Sequence, residues 1–264
     1  MPQPSPTAAP ARAIVLFDID GVIRDVSASY RRAIIETVHH FGGERPEPGA
    51  IDALKGEGRW NNDWEASLEL LRRAGLRPLP TLTELVAVFE GLYFGGDPAA
   101  DPSQWQGFIG DEPLLVEPGL FSALADAGLV WGFVSGAEPP SCRYVLETRL
   151  GLAAPPLIAM GDAPDKPDPT GLLRLASRLA GGSLGAGAPP VAYLGDTVAD
   201  VLTVQRARAQ CPGQRFLSLA VAPPHLHGDP AARAAYEARL LAAGADALIP
   251  STTAVAAHLE RLLP

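Results

Sequence analysis

Runs of three to six mostly apolar residues recur along this chain, each closed by polar or glycine-rich sequence. Ile14–Phe17, Val130–Val134, Leu157–Met160, Val191–Leu194, Phe216–Val221 and the weaker Ala247–Ile249 carry almost no polar alternation. Strands of that composition are buried on both faces, as in a parallel sheet. Between them the apolar period lengthens to that of a helix. Leu172, Leu175, Ala176 and Leu179 keep one face apolar behind Asp168-Pro169, an N-cap followed by proline at the first helical position. Pro139 to Leu150 sets Cys142, Val145, Leu146 and Arg149 on one stripe and ends at Gly151. This alternation predicts an α/β fold: a doubly wound parallel sheet covered by helices, with ligands beyond the carboxyl ends of the strands.

One region breaks the rhythm. From Ser27 to Gly110 the pattern is helical throughout, with no convincing strand. Tyr30, Ile34, Thr37, Val38 and Phe41 make one stripe, and Trp64, Leu68 and Leu71 another. Thr81 and Glu84 form a capping box ahead of Leu85, Val86, Phe89, Leu92 and Tyr93. Residues 27–110 therefore read as a helical domain inserted after the first strand, splitting a core made of 13–26 plus 111–264. Residues 1–12 read as a floppy Pro- and Ala-rich tail without the basic start or apolar centre of a signal peptide. Gly181 to Pro190 reads as a flexible loop.

Composition narrows the function classes. Hydrophobic residues make up 47% of the 264, enough for a globular core. A formal charge of −9 and a pI near 5.0 argue against nucleic acid or anionic membrane as a partner. No apolar run approaches the roughly 18 to 20 residues of a membrane helix. Cys142 and Cys211 make no disulfide framework, so a cytoplasmic location is expected, with Cys142 packing inside a helix. Of 21 basic residues only Lys55 and Lys166 are lysines. Each is a candidate for work that suits a compact ammonium and not a planar guanidinium.

Polar residues collect at the strand ends. The first strand runs into Asp18 and Asp20, the second into Ser135, the third toward Lys166, and the fourth into Asp196 and Asp200. Asp-Gly after a strand and Ser135-Gly136 are also ordinary turn chemistry, and Asp200 could serve a helix N-terminus. Asp168 is assigned to helix capping. On neighbouring parallel strands, however, the other side chains would share one rim. An oxygen-rich cluster of that kind suits Mg²⁺, and the cation with Lys166 would offset the repulsion between close carboxylates.

In order, FDIDGV, VSGA, KPDP and GDTVAD resemble the four motifs of the haloacid dehalogenase superfamily, whose members are mostly Mg²⁺-dependent phosphotransferases with a Rossmann-like core. The resemblance implies roles residue by residue. Asp18 would be the nucleophile that forms an aspartyl-phosphate, and Asp20 the general acid and base. Ser135, with Gly136 beside it, would hydrogen-bond the phosphoryl group, and Lys166 would balance its charge. Mg²⁺ would be held by Asp18, the backbone carbonyl of Asp20 and Asp196, with Asp200 assisting directly or through water. The small phosphorylated substrate this implies is not named by the sequence, nor is the oligomeric state.

The insert resembles the mobile helical cap of the superfamily's first class, as in phosphoglycolate phosphatases and beta-phosphoglucomutases. LKGEGR, Leu54 to Arg59, is similar to the LKGxSR cap loop of the mutases, which would turn Lys55 and Arg59 toward substrate; Gly58 replaces the serine. Trp60, Asn61 and Trp64 follow, as pocket lining or as core. A phosphosugar mutase is thus the alternative to a phosphatase, although VSGAEPP lacks the asparagine and lysine of the mutase second motif. A phosphonate hydrolase would need Lys55 for a Schiff base. A dehalogenase would need neither Asp20 nor the metal. A noncatalytic protein on the same fold is the non-enzyme alternative, against which every required side chain is present. Arg24 is expected on the surface, and His225 and His227, with no third ligand nearby, in a loop.

Overall fold

The computed structural model describes residues 11–262; the tail expected over residues 1–12 lies outside them apart from its last two positions. Six strands form one sheet: β1 (Ala13–Phe17), β2 (Leu129–Val134), β3 (Leu157–Ile158), β4 (Val191–Gly195), β5 (Phe216–Ala220) and β6 (Ala247–Leu248). All pairs are parallel, in the order β3-β2-β1-β4-β5-β6. All six strands expected from the apolar runs are present. The chain builds outward from β1 to β3 and then returns to β4 on the other side. That reversal leaves a crevice at the β1/β4 carboxyl ends, where open parallel sheets take their ligands.

β1 shows why the apolar run had no alternation. Ala13, Val15 and Phe17 point to one face and Ile14 and Leu16 to the other, and all five are fully buried. The first face is covered by α5 (Gly119–Asp126), α6 (Pro139–Arg143) and α10 (Val255–Leu262), with Phe17, Phe121 and Phe133 in mutual contact. The second is covered by α7 (Thr170–Ala180) and α8 (Val198–Gln210), and α9 (Pro230–Ala243) packs along α8. No helix among the described residues is long and apolar enough to cross a membrane.

Four helices lie between β1 and α5: α1 (Tyr30–His40), α2 (Pro48–Lys55), α3 (Asp63–Arg73) and α4 (Leu82–Tyr93). Their apolar stripes meet as expected. Val38, Leu71 and Leu85 form a small core, and Tyr30 stacks on Tyr93 with ring centres 4.0 Å apart. The Thr81–Glu84 capping box is formed, and Asn62 caps α3 through the N–H groups of Trp64 and Glu65.

Three local details differ from the sequence reading. β3 stops after two residues because the Asp162 carboxylate takes the Ala159 N–H and the Ala137 carbonyl takes that of Met160. The stripe from Pro139 to Leu150 is helical, but α6 widens into a π-turn over Tyr144–Arg149. The helix begins at Thr170 with Pro169 at the cap position, so Asp168 is not the N-cap expected; it sits one residue earlier and accepts the Thr170 N–H at 2.9 Å.

Candidate active site

The chain beyond β1 stays paired to β4, because the Asp18 N–H donates to the Leu194 carbonyl at 2.8 Å. This brings Asp18 beside Asp196, which follows β4. Asp200 joins them from the first turn of α8, fixed by a capping box in which the Thr197 hydroxyl and N–H bind its Oδ2 and its own N–H returns to Thr197. One oxygen from each of the three carboxyls falls within 4.8 Å of the others, all buried. Gly21 makes the approach possible. Its φ is +72°, and a Cβ there would stand 2.0 Å from Asp196 Oδ2. Gly21→Ala is expected to lower stability by more than about 1 kcal/mol, read as a lower thermal midpoint, because both backbone and carboxyl must shift.

Lys166 closes the cluster from the β3–α7 loop. Its ammonium lies 2.9 Å from Asp18 Oδ2, 2.6 Å from Asp200 Oδ1 and 3.1 Å from the Tyr193 hydroxyl. Burial alone would lower the Lys166 pKa, but Asp18 and Asp200 more than reverse it, holding it well above the ordinary value. The single ammonium serves the nearer partner best. Burial opposes ionisation of Asp200, yet Lys166 and the Thr197 hydrogen bonds hold its carboxyl below the usual value. Asp18 is pushed up to about 7, chiefly by burial, with Lys166 opposing and Asp200 and Asp20 adding. Asp196 is raised well above the carboxylate range by burial and by Asp200 and Asp18. Asp18 Oδ1 has no hydrogen-bond partner among the described residues. A buried set of oxygen donors with one acceptor unused, short of positive charge, fits a hard divalent cation such as Mg²⁺.

Asp20 lines the same cavity and is held by Arg24, Nε to Oδ1 at 2.7 Å. Here the sequence reading is corrected: Arg24 is fully buried, not at the surface. Its other nitrogens reach Glu112 Oε2 at 2.9 Å and Ser141 Oγ at 2.7 Å. Glu112 in turn accepts from Ser29 at 2.5 Å and Tyr93 at 3.1 Å. Every face of the guanidinium therefore has a partner, which is what permits its burial. Ser135 is also buried, its N–H on the Ile158 carbonyl and its Oγ accepting from the Ala137 N–H.

The insert reaches this cavity through the loop between α2 and α3. A Cβ on Gly136 would meet Asn61 Nδ2 at 2.9 Å, so the two segments touch there. Lys55 and Trp64 line the cavity, with the Lys55 ammonium 2.5 Å from Asp63. Arg59 is not brought to it: the side chain is 68% exposed, 3.3 Å from Glu57 and over the Trp60 ring. Gly58, where the mutase-like pattern has serine, has φ +75° and lies against Val198 and Leu202 of α8. A side chain there would be strained and crowded. His225 lines the cavity but pairs with Asp52 at 3.1 Å, while His227 faces the Ala222 carbonyl, so the two histidines do not share a metal site. Sequence reasoning missed Asp52, Tyr193 and Glu138, whose signals were a surface-like helix residue, a strand tyrosine and an acidic loop.

The model of the haloacid dehalogenase-like hydrolase family matches residues 13–208, most of the chain. The chain belongs to that family. Among curated proteins, this hydrolase is 35% identical over 212 residues to the imidazoleglycerol-phosphate dehydratase of Phytophthora nicotianae, covering 78% of the chain and 44% of that protein. It thus spans less than half the length of that relative. In fold it is similar to a phosphonoacetaldehyde hydrolase-like protein from Oleispira antarctica, at 17% identity and TM-score 0.69, with 97% and 95% of the two chains covered. The phosphatase Tt82 from Thermococcus thioreducens matches at 22% identity and TM-score 0.56, covering 78% and 92%.

Proposed function

We propose that this hydrolase is a Mg²⁺-dependent phosphomonoesterase acting on a small phosphorylated metabolite through an aspartyl-phosphate. The observation that carries the reading is Asp18, with one oxygen bound by Lys166 and the other unpartnered beside two further carboxyls. The Asp18 carboxylate forms the bond to phosphorus as the leaving alcohol departs with a proton taken from Asp20. Asp20 then takes a proton from water, which attacks the same phosphorus and returns Asp18 with free phosphate. Arg24 orients Asp20 for both transfers. Lys166 and the Ser135 hydroxyl bind the phosphoryl oxygens, so charge that builds there meets donors already in place. Mg²⁺ would be held by Asp18, Asp196 and the backbone carbonyl of Asp20, and when bound it neutralises the carboxylates and polarises the phosphoryl group. Asp200, whose oxygens are engaged by Lys166 and Thr197, would assist through water.

On this reading the helical insert, residues 27–110, acts as a cap that excludes water and contacts the leaving group. A phosphosugar mutase fits less well. A second phosphate would need free cations on the insert, but Lys55 is bound to Asp63, Arg31 to Asp52, and Arg59 lies outside the cavity. The name of the Phytophthora relative contains a small phosphorylated molecule, which agrees with the substrate class proposed here. The test is phosphate release from a panel of sugar, hydroxy-acid, nucleotide and amino-alcohol phosphates. Release is expected with Mg²⁺ and is expected to fall to background in EDTA, returning when Mg²⁺ is restored. Equal release in EDTA, or isomerised sugar phosphate without free phosphate, would overturn the reading.

A further inference from the structure

Beyond the residues assigned to phosphoryl transfer, four more carboxyls line the cavity: Asp25, Asp52, Asp63 and Glu138. Two are neutralised within the protein, Asp52 by Arg31 at 2.9 Å and Asp63 by Lys55 at 2.5 Å. Asp25 is partly exposed and accepts the Ser27 N–H. Glu138 is different. The residue is only 7% exposed, and its Oε2 has no hydrogen-bond partner among the described residues. It precedes α6 without making a capping bond, so helix termination does not explain it. Arg24 is close enough to influence it, but all three guanidinium nitrogens are engaged elsewhere.

A buried carboxyl with a free acceptor is unfavourable unless something supplies a donor or a cation. Glu90 is its one close neighbour: burial first, then the charge of Glu90 and a side-chain hydrogen bond between the two carboxyls, push Glu138 up to about 8, so the pair shares a proton that a bound cation would displace. Glu138 also sits three residues beyond Ser135 on the same loop, on the cavity that holds the phosphoryl machinery. The Trp64 side chain borders that cavity too, and aromatic faces attract cations. An anionic leaving group, by contrast, would meet carboxyls and no uncommitted lysine or arginine among the described cavity residues.

We infer that the cavity selects a phosphomonoester whose leaving alcohol carries a protonated nitrogen, amine or imidazolium, held by the Glu138 carboxylate in the cavity that Trp64 also lines. This rests on the phosphatase reading and names its substrate class. The experiment compares kcat/KM for 3-aminopropyl phosphate, butyl phosphate and phosphoglycolate, which differ in the charge of the leaving group. Wild type is expected to favour the amino ester over butyl phosphate by about 10- to 100-fold, the worth of one charged hydrogen bond. In Glu138→Gln that ratio is expected to collapse toward one. Hydrolysis of all three within about threefold, or a ratio unchanged in Glu138→Gln, would overturn the inference and leave the phosphatase reading standing. If none is hydrolysed, the wider phosphate-release panel decides the phosphatase reading, and calorimetry decides the cation site separately. Asp18→Asn protein binding the amino ester at least about tenfold more tightly than butyl phosphate, with the difference lost in Asp18→Asn/Glu138→Gln, would support it; equal binding would overturn it.

Discussion

Asp18→Asn is expected to reduce phosphate release by about 10⁴- to 10⁶-fold while the protein remains folded. The loss should appear in kcat, because the amide keeps the shape of the carboxyl but cannot form the bond to phosphorus. The same substitution has a second, opposite effect. Burial pushes the Asp18 carboxyl up to about 7, from an ordinary value of 3.8. Without metal, the folded protein therefore holds a proton that the unfolded chain releases, and stability declines as pH rises between those values. Asparagine does not titrate. In EDTA, the thermal midpoint of Asp18→Asn is expected to fall less than that of wild type between pH 5 and 7.5. Parallel slopes would show that Lys166 already satisfies Asp18, and would remove the case for a second cation.

Arg24→Met is expected to destabilise the protein by about 3 to 5 kcal/mol in denaturant unfolding. Methionine fills the stem's volume but strands Glu112, which is 2% exposed and retains only hydroxyl donors from Ser29 and Tyr93. Burial already raises the Glu112 pKa against the pull of Arg24, so the variant can relieve part of the penalty by protonation. Arg24→Lys should recover little, because one ammonium cannot span Asp20, Glu112 and Ser141 as the planar fork does. A loss below about 1 kcal/mol for Arg24→Met would mean that the cluster contributes no more than a surface pair.

The sheet was legible because strands buried on both faces leave an unbroken apolar run, as all five residues of β1 do. The helices after β1 were legible from stripes such as Tyr30, Ile34 and Val38, whose side chains are buried. Asp18, Asp196, Asp200 and Lys166 were legible because short motifs at successive parallel strand ends must converge. Arg24 was not. An arginine reads as surface unless its partners are known, and two of them lie 88 and 117 positions away. His225 and Asp52 are likewise 173 positions apart, so neither residue hints at the other locally. Glu138 escaped for a different reason: an acidic residue ahead of two prolines looks like a loop, and only burial without a partner makes it notable. Arg59 matched a pattern whose loop here is shifted onto α8 around Gly58, carrying the guanidinium to solvent.

The scarcity of lysine has a practical side. Both lysines of the chain line one cavity, and both are engaged by carboxylates. Reagents that acylate amines usually coat a protein's exterior and report little about its interior. On this chain, apart from the α-amine, they have targets only where the insert meets the core. Acylation there requires the ion pairs to break, at Lys166 from a buried position and at Lys55 from one whose side chain is 18% exposed. The composition has in effect confined side-chain amine chemistry to one chamber, where Lys166 is expected to label more slowly than Lys55 because it lies deeper.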